Sequence, residues 1–143
     1  MDIRIQSAPF DVADVLGHLP QGAGAVASFI GHVRPDDGLT ALVLEHFPGM
    51  TERELARHVE TAEARWPLLG VTIIHRVGRL LPGEAIVMVA VAAAHRKAAF
   101  AACEFLMDHL KTEAPFWKQE CVGSETRWVD AKASDDDARA RWD

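Results

Sequence analysis

The sequence predicts an α+β fold with mainly antiparallel strand pairing. Apolar runs with strand-like patterning alternate with helical segments along the chain. Turn signals separate them: Pro35-Asp36-Asp37-Gly38, Pro48-Gly49, Leu81-Pro82-Gly83-Glu84 and Val122-Gly123-Ser124-Glu125. No internal repeat, linker or second domain interrupts this alternation, so residues 1–143 are expected to form a single domain.

Each element has a local reason. Asp11 caps a first helix that places Val12, Val15, Leu16 and Leu19 at helical spacing and stops by Pro20. Ala23 to Val33 is an apolar strand. Thr40 to Phe47 alternates as a second strand, and the two are expected to pair as a hairpin. Thr51-Glu52-Arg53-Glu54 reads as a capping box opening a second helix that Pro67 ends. Val71 to Leu80 reads as one strand. Ala85 to Ala94 reads as another, apolar on both faces, with the core expected on one face and a subunit partner on the other. A long helix runs from about His95 to Lys111, with Phe100, Phe105, Leu106, Met107 and Leu110 as its apolar side. Phe116 to Cys121 and Arg127 to Ala131 form a second hairpin, and Ser134-Asp135-Asp136-Asp137 cap a terminal helix.

Composition narrows the function. The net charge of −6 argues against a nucleic-acid surface, which needs a basic face. The longest apolar run is too short to span a bilayer, and the N-terminus lacks a signal-peptide core, so a cytoplasmic protein is expected. The two cysteines form no CxxC or Cys/His cluster, so no metal site is expected; Cys103 reads as a core thiol and Cys121 as more exposed. No Walker loop, G-x-G-x-x-G or G-x-S-x-G is present, and no cofactor is predicted.

The stretch from Leu110 to Lys118 is the most informative. Proline pushes Ala114 out of the helical region, so the chain turns between Lys111 and Lys118. Two ammonium groups then converge on one pocket, or each is an ordinary solvated charge. His95-Arg96-Lys97 opens the long helix, where unpaired amides favour an anion and cations need an offsetting partner. Arg34 ends the first strand, a place where functional side chains are often presented. His32, His46 and His75 sit in strand patterns and read as packed or hydrogen-bonded.

Several segments, in order from about residue 22 onward, resemble one family. They are Ser28-Phe29-Ile30-Gly31-His32-Val33-Arg34, Leu44-Glu45-His46-Phe47-Pro48-Gly49-Met50, Ile74-His75-Arg76-Val77-Gly78 and Pro82-Gly83-Glu84. Ala94-His95-Arg96, Leu110-Lys111-Thr112, Ala114-Pro115-Phe116-Trp117-Lys118 and Arg127-Trp128-Val129 complete the set. The chain resembles the large, catalytic subunit of molybdopterin synthase, the MoaE family. The resemblance implies an α/β hammerhead-like fold with an additional antiparallel β subdomain. It implies sulfur transfer from the C-terminal thiocarboxylate of a small ubiquitin-like MoaD-type carrier to cyclic pyranopterin monophosphate (precursor Z), forming the dithiolene of molybdopterin. It also implies a homodimer within a heterotetramer.

Carried over by position, the catalytic lysine falls on Lys111 and the second pocket lysine on Lys118. Arg34, His95 and Arg96 bind anionic groups, the last two from the neighbouring subunit, and Phe29 and Met107 are wall residues. The chemistry agrees, because a phosphate and an anionic tail both need cations. Crowded cations disfavour protonation of any one lysine, which suits Lys111 to a base or nucleophile role. The chain departs from the pattern in a short Pro35-to-Thr40 loop, in Phe47 where tyrosine is common, and in Ala93-Ala94 before His95. A non-catalytic partner-binding module on the same fold, and an unrelated anion-binding enzyme, are the alternative readings.

Overall fold

A computed structural model describes residues 1–129 and 133–143. It contains two four-stranded sheets. The first has strand order β1 (Asp2–Gln6), β4 (Leu68–Arg76), β6 (Ala85–Ala93), β2 (Ala25–His32). The second has order β5 (Gly78–Leu80), β3 (Leu39–His46), β7 (Phe116–Val122), β8 (Glu125–Trp128). The helices are α1 (Val12–Gly17), α2 (Met50–Arg65), α3 (Arg96–Thr112) and α4 (Ala133–Ala140). Pairing is antiparallel except between β1 and β4, which run parallel.

The first sheet is the packed heart of the molecule. On β6, Val87, Val89, Val91 and Ala93 face α2 and α3, where Leu55, Val59, Phe105 and Leu106 complete the core. Met88, Ala90 and Ala92 face the opposite way, against Val15 and Leu19 near α1. The partner subunit expected on that second face is therefore replaced by the chain's own first helix. Strand period explains the split: successive side chains point to opposite faces, so an all-apolar strand needs two covers.

The expected hairpin between the first two long strands does not form. β2 pairs with β6, placing Phe29 beside Val89, while β3 pairs with β5 and β7. β2 takes up a free edge of apolar β6, and Val33 is then tied back by bonds with Glu84 and Gly83. A 3-10 turn at Asp36–Gly38, with Asp37 at φ +54°, carries the chain to the other sheet. The single strand expected from Val71 to Leu80 is likewise two strands in two sheets. Gly78, at φ +91°, makes the break, in a backbone region that glycine enters without steric cost. β1 is an element the sequence reading did not anticipate.

Local signals elsewhere hold with adjustments. Asp11 caps α1 through a bond from the Asp14 amide. The cap of α2 is Gly49, whose amide donates to the Glu52 carboxylate at 2.6 Å, so Thr51 is not the capping residue. Both cysteines are buried, Cys121 included, against the exposure expected for it. In the last hairpin β7 falls where expected, but β8 starts two residues early, at Glu125 within the expected turn, and ends at Trp128; Ala131 lies outside the described residues, as does the Ser134 side chain. Among the described residues, no helix is long and apolar enough to cross a membrane.

Candidate active site

The site grows from the place where α3 ends and β7 begins. α3 closes with the Glu113 amide donating to the His109 carbonyl at 2.8 Å. Lys111 lies in the last turn, where a cation suits the helix dipole. Pro115 prevents the helix from continuing, and Phe116 starts β7. Lys118 follows two residues on, opposite Leu44 of β3. Strand alternation points Phe116 and Lys118 to one face and Trp117 to the other.

That face forms one wall of a groove of about 610 Å³ between the two sheets. Phe29 and Arg34 line it from the end of β2, His75 from β4, and Lys111, Phe116 and Lys118 from the bend. Three cations thus converge within an acidic chain. Asp135 is the one carboxylate among the described lining residues. Arg34 contacts Asp36 at 3.5 Å, but both are exposed, so this pairing holds the guanidinium only weakly.

His75 is a groove residue that the sequence reading assigned only to packing. Its ring stacks on Phe116 with centroids 3.9 Å apart. Its Nδ1–H donates to the Arg76 carbonyl at 2.8 Å. Burial pushes its pKa down to about 4, opposed by that hydrogen bond and reinforced by the positive charges of Lys111 and Lys118. At neutral pH it is therefore an uncharged platform under Phe116. The only signal in the sequence was a polar residue following the two isoleucines of an apolar strand.

The other expected site residues lie elsewhere in this chain. His95 caps α3 in an extended conformation with no side-chain cap bond, and both it and Arg96 are exposed. Arg96 and Lys111 are separated by nearly the whole helix, about 22 Å at 1.5 Å per residue. Met107 is not a groove wall residue: it is buried in the core between α3 and the first sheet. Among the described residues, no cluster of three or more His, Cys, Asp or Glu side chains could hold a metal ion.

Fold and groove together define a class: an α+β protein whose groove between two sheets gathers lysine and arginine side chains. The model of a family described as MoaE protein matches residues 5–113. The chain belongs to that family. It is 54% identical to the molybdopterin synthase catalytic subunit of Escherichia coli (strain K12), covering 98% of this chain and 97% of that one. The structure of a molybdopterin biosynthesis MoaE protein from Burkholderia ambifaria MC40-6 superposes with a TM-score of 0.86 at 53% identity, covering 99% and 97%. A molybdopterin synthase structure from Staphylococcus aureus is similar at a TM-score of 0.83 and 30% identity, covering 89% and 96%.

Proposed function

We infer that this chain is the catalytic, large subunit of a molybdopterin synthase, a sulfurtransferase of molybdenum cofactor biosynthesis. It takes sulfur from the C-terminal thiocarboxylate of a small MoaD-type subunit and delivers it to cyclic pyranopterin monophosphate. The observation that carries the site assignment is the meeting of Arg34, Lys111 and Lys118 in one groove.

Arg34 and Lys118 hold the anionic groups: the phosphate of the pterin and the charged tail of the carrier. A planar guanidinium offers a two-pronged contact to phosphate, and an ammonium a compact charge. Lys111 carries the chemistry. It activates the thiocarboxylate for attack on a pterin side-chain carbon, whose bond to oxygen breaks as the carbon–sulfur bond forms, or its amine takes over the acyl group as the acyl–sulfur bond breaks. In the first case water cleaves the acyl–sulfur bond and the carrier leaves as a carboxylate; in the second it remains linked to Lys111 until water releases it. Phe29, Phe116 and His75 wall the site.

His95 and Arg96 serve the groove of a second copy. Their distance from Lys111 within one chain, and their exposure, support that arrangement. We place the chain, as one domain, in a cytoplasmic assembly of two large and two small subunits.

The test mixes the purified protein with precursor Z and a thiocarboxylated small subunit and assays dithiolene product. Product is expected. Tight carrier binding without product would instead favour a non-catalytic binding module. Mass spectrometry of the quenched reaction separates the two roles of Lys111, since only acyl takeover leaves the carrier attached to this chain.

A further inference from the structure

The bend between Lys111 and Lys118 has few bonds of its own. Besides the Glu113 cap, the Phe116 amide donates to the Ala114 carbonyl at 2.8 Å. Pro115 contributes no donor, so its carbonyl is its one polar backbone group. Two side chains outside the groove lining hold this segment against α2. The Thr51 hydroxyl donates to the Pro115 carbonyl at 3.1 Å and accepts from the Phe47 amide at 3.0 Å. Thr51 is wholly buried, so no bulk water competes for either bond. Glu113 is reached by His58 Nε2 at 3.1 Å and, on its other oxygen, by Arg139 of α4 at 3.4 Å. Arg57 lies 3.7 Å away.

We propose that Thr51 and Glu113 are positioning residues of the sulfur-transfer site, fixing from α2 the bend that sets the separation of Lys111 and Lys118. This rests on the assignment of those lysines to the reaction. Neither Thr51 nor Glu113 lines the groove, so each acts through the backbone it holds. The Thr51 bridge joins three pieces of chain: the loop after β3, the first turn of α2, and the bend. Phe47 extends the same link by packing on Trp117 with ring centroids 4.0 Å apart. The residues leading into Lys118 are thereby tied, through Thr51 and Phe47, to a helix that itself contributes nothing to the groove.

Thr51→Val tests this, because it keeps the side-chain shape and removes both bonds. The expected result is a loss of kcat of about tenfold or more, the scale of effect that small misplacements of reacting groups produce. Any rise in KM for the pterin, which would come through Lys118, should be smaller than the loss in kcat, which comes through Lys111. Thr51→Ser, which restores the hydroxyl, should recover most of kcat. Unchanged kcat in Thr51→Val, or failure of Thr51→Ser to rescue it, overturns the proposal. If Thr51→Val does not fold, Glu113→Ala at the partly exposed end of the network decides, and wild-type kcat there overturns the proposal equally. Lys111→Ala is run alongside. Full activity in that variant sinks the site assignment itself, whereas an inactive Lys111→Ala with a fully active Thr51→Val sinks only the positioning role.

Discussion

The two sheets have four strands each and differ in nearly everything else. In the first, the central strand β6 is apolar on both sides and its residues from Val87 to Ala93 are almost wholly buried between helices. In the second, β8 is exposed along its length, Trp128 is 64% exposed, and Trp117 points outward. The lysine-bearing strand β7 belongs to this second sheet. The division teaches where stability is stored and where exposed side chains are tolerated. Burial of apolar area dominates the first sheet, so its side chains are constrained by volume. The second sheet carries fewer packing constraints and leaves room for charge.

Four substitutions or conditions would break or sharpen that contrast. Lys111→Ala should lower the rate of dithiolene formation by about 100-fold or more, the range for loss of a proton-transfer or nucleophilic group. Its urea midpoint should match the parent, because the side chain is exposed in the groove. Met88→Ala should do the reverse. Removing a fully buried side chain should cost about 2–5 kcal/mol in denaturant unfolding. The folded fraction should keep its specific activity.

Acid should act on the junction between the two regions. His75 has an ordinary pKa of 6.5, lowered to about 4 in the folded chain. Between those values the unfolded chain binds a proton that the folded chain refuses, so stability falls as pH falls from about 6.5 to about 4. The loss should approach about 3 kcal/mol. Burial lowers the pKa of His58 too, adding a loss of the same sign. Urea midpoints measured from pH 7 to pH 4 should show a flatter profile in His75→Phe. The smallest effect is expected at Gly78, where the chain passes from one sheet to the other at φ +91°. Gly78→Ala has open space for its methyl group, so only backbone strain of about 1–2 kcal/mol should appear in its thermal unfolding.

The legible parts of the fold and site were those fixed by constraints within a few residues of chain. Pro115 alone dictates that α3 stops and that Lys111 and Lys118 lie either side of a bend. Asp11, Pro67 and the Gly123 turn were readable for the same reason. Strand partnership was not, because hydrogen bonds between strands are non-local. The hairpin expected between β2 and β3 followed from their nearness in sequence, yet the edge of β6 gave β2 a more completely apolar neighbour. The break at Gly78 was hidden because apolar patterning runs through it unbroken. Thr51 was assigned the right kind of bond and the wrong partners: its hydroxyl does bind backbone, but that of Phe47 and of distant Pro115. Arg34 joined the groove as expected, whereas Met107, apolar and one helical turn from Lys111, turned inward to the core.

The length of α3 has a genetic consequence. Under the proposed arrangement, in which His95 and Arg96 at one end serve a second copy's groove and Lys111 at the other serves its own, a defect at either end disables a different contribution. A mixed pair of one Arg96→Ala chain and one Lys111→Ala chain holds one doubly defective groove and one intact groove. Two alleles that are each inactive alone should then restore activity to a cell carrying both, up to one working groove in every mixed pair. Two defects at the same end, such as Lys111→Ala with Lys118→Ala, leave every groove damaged and should not complement.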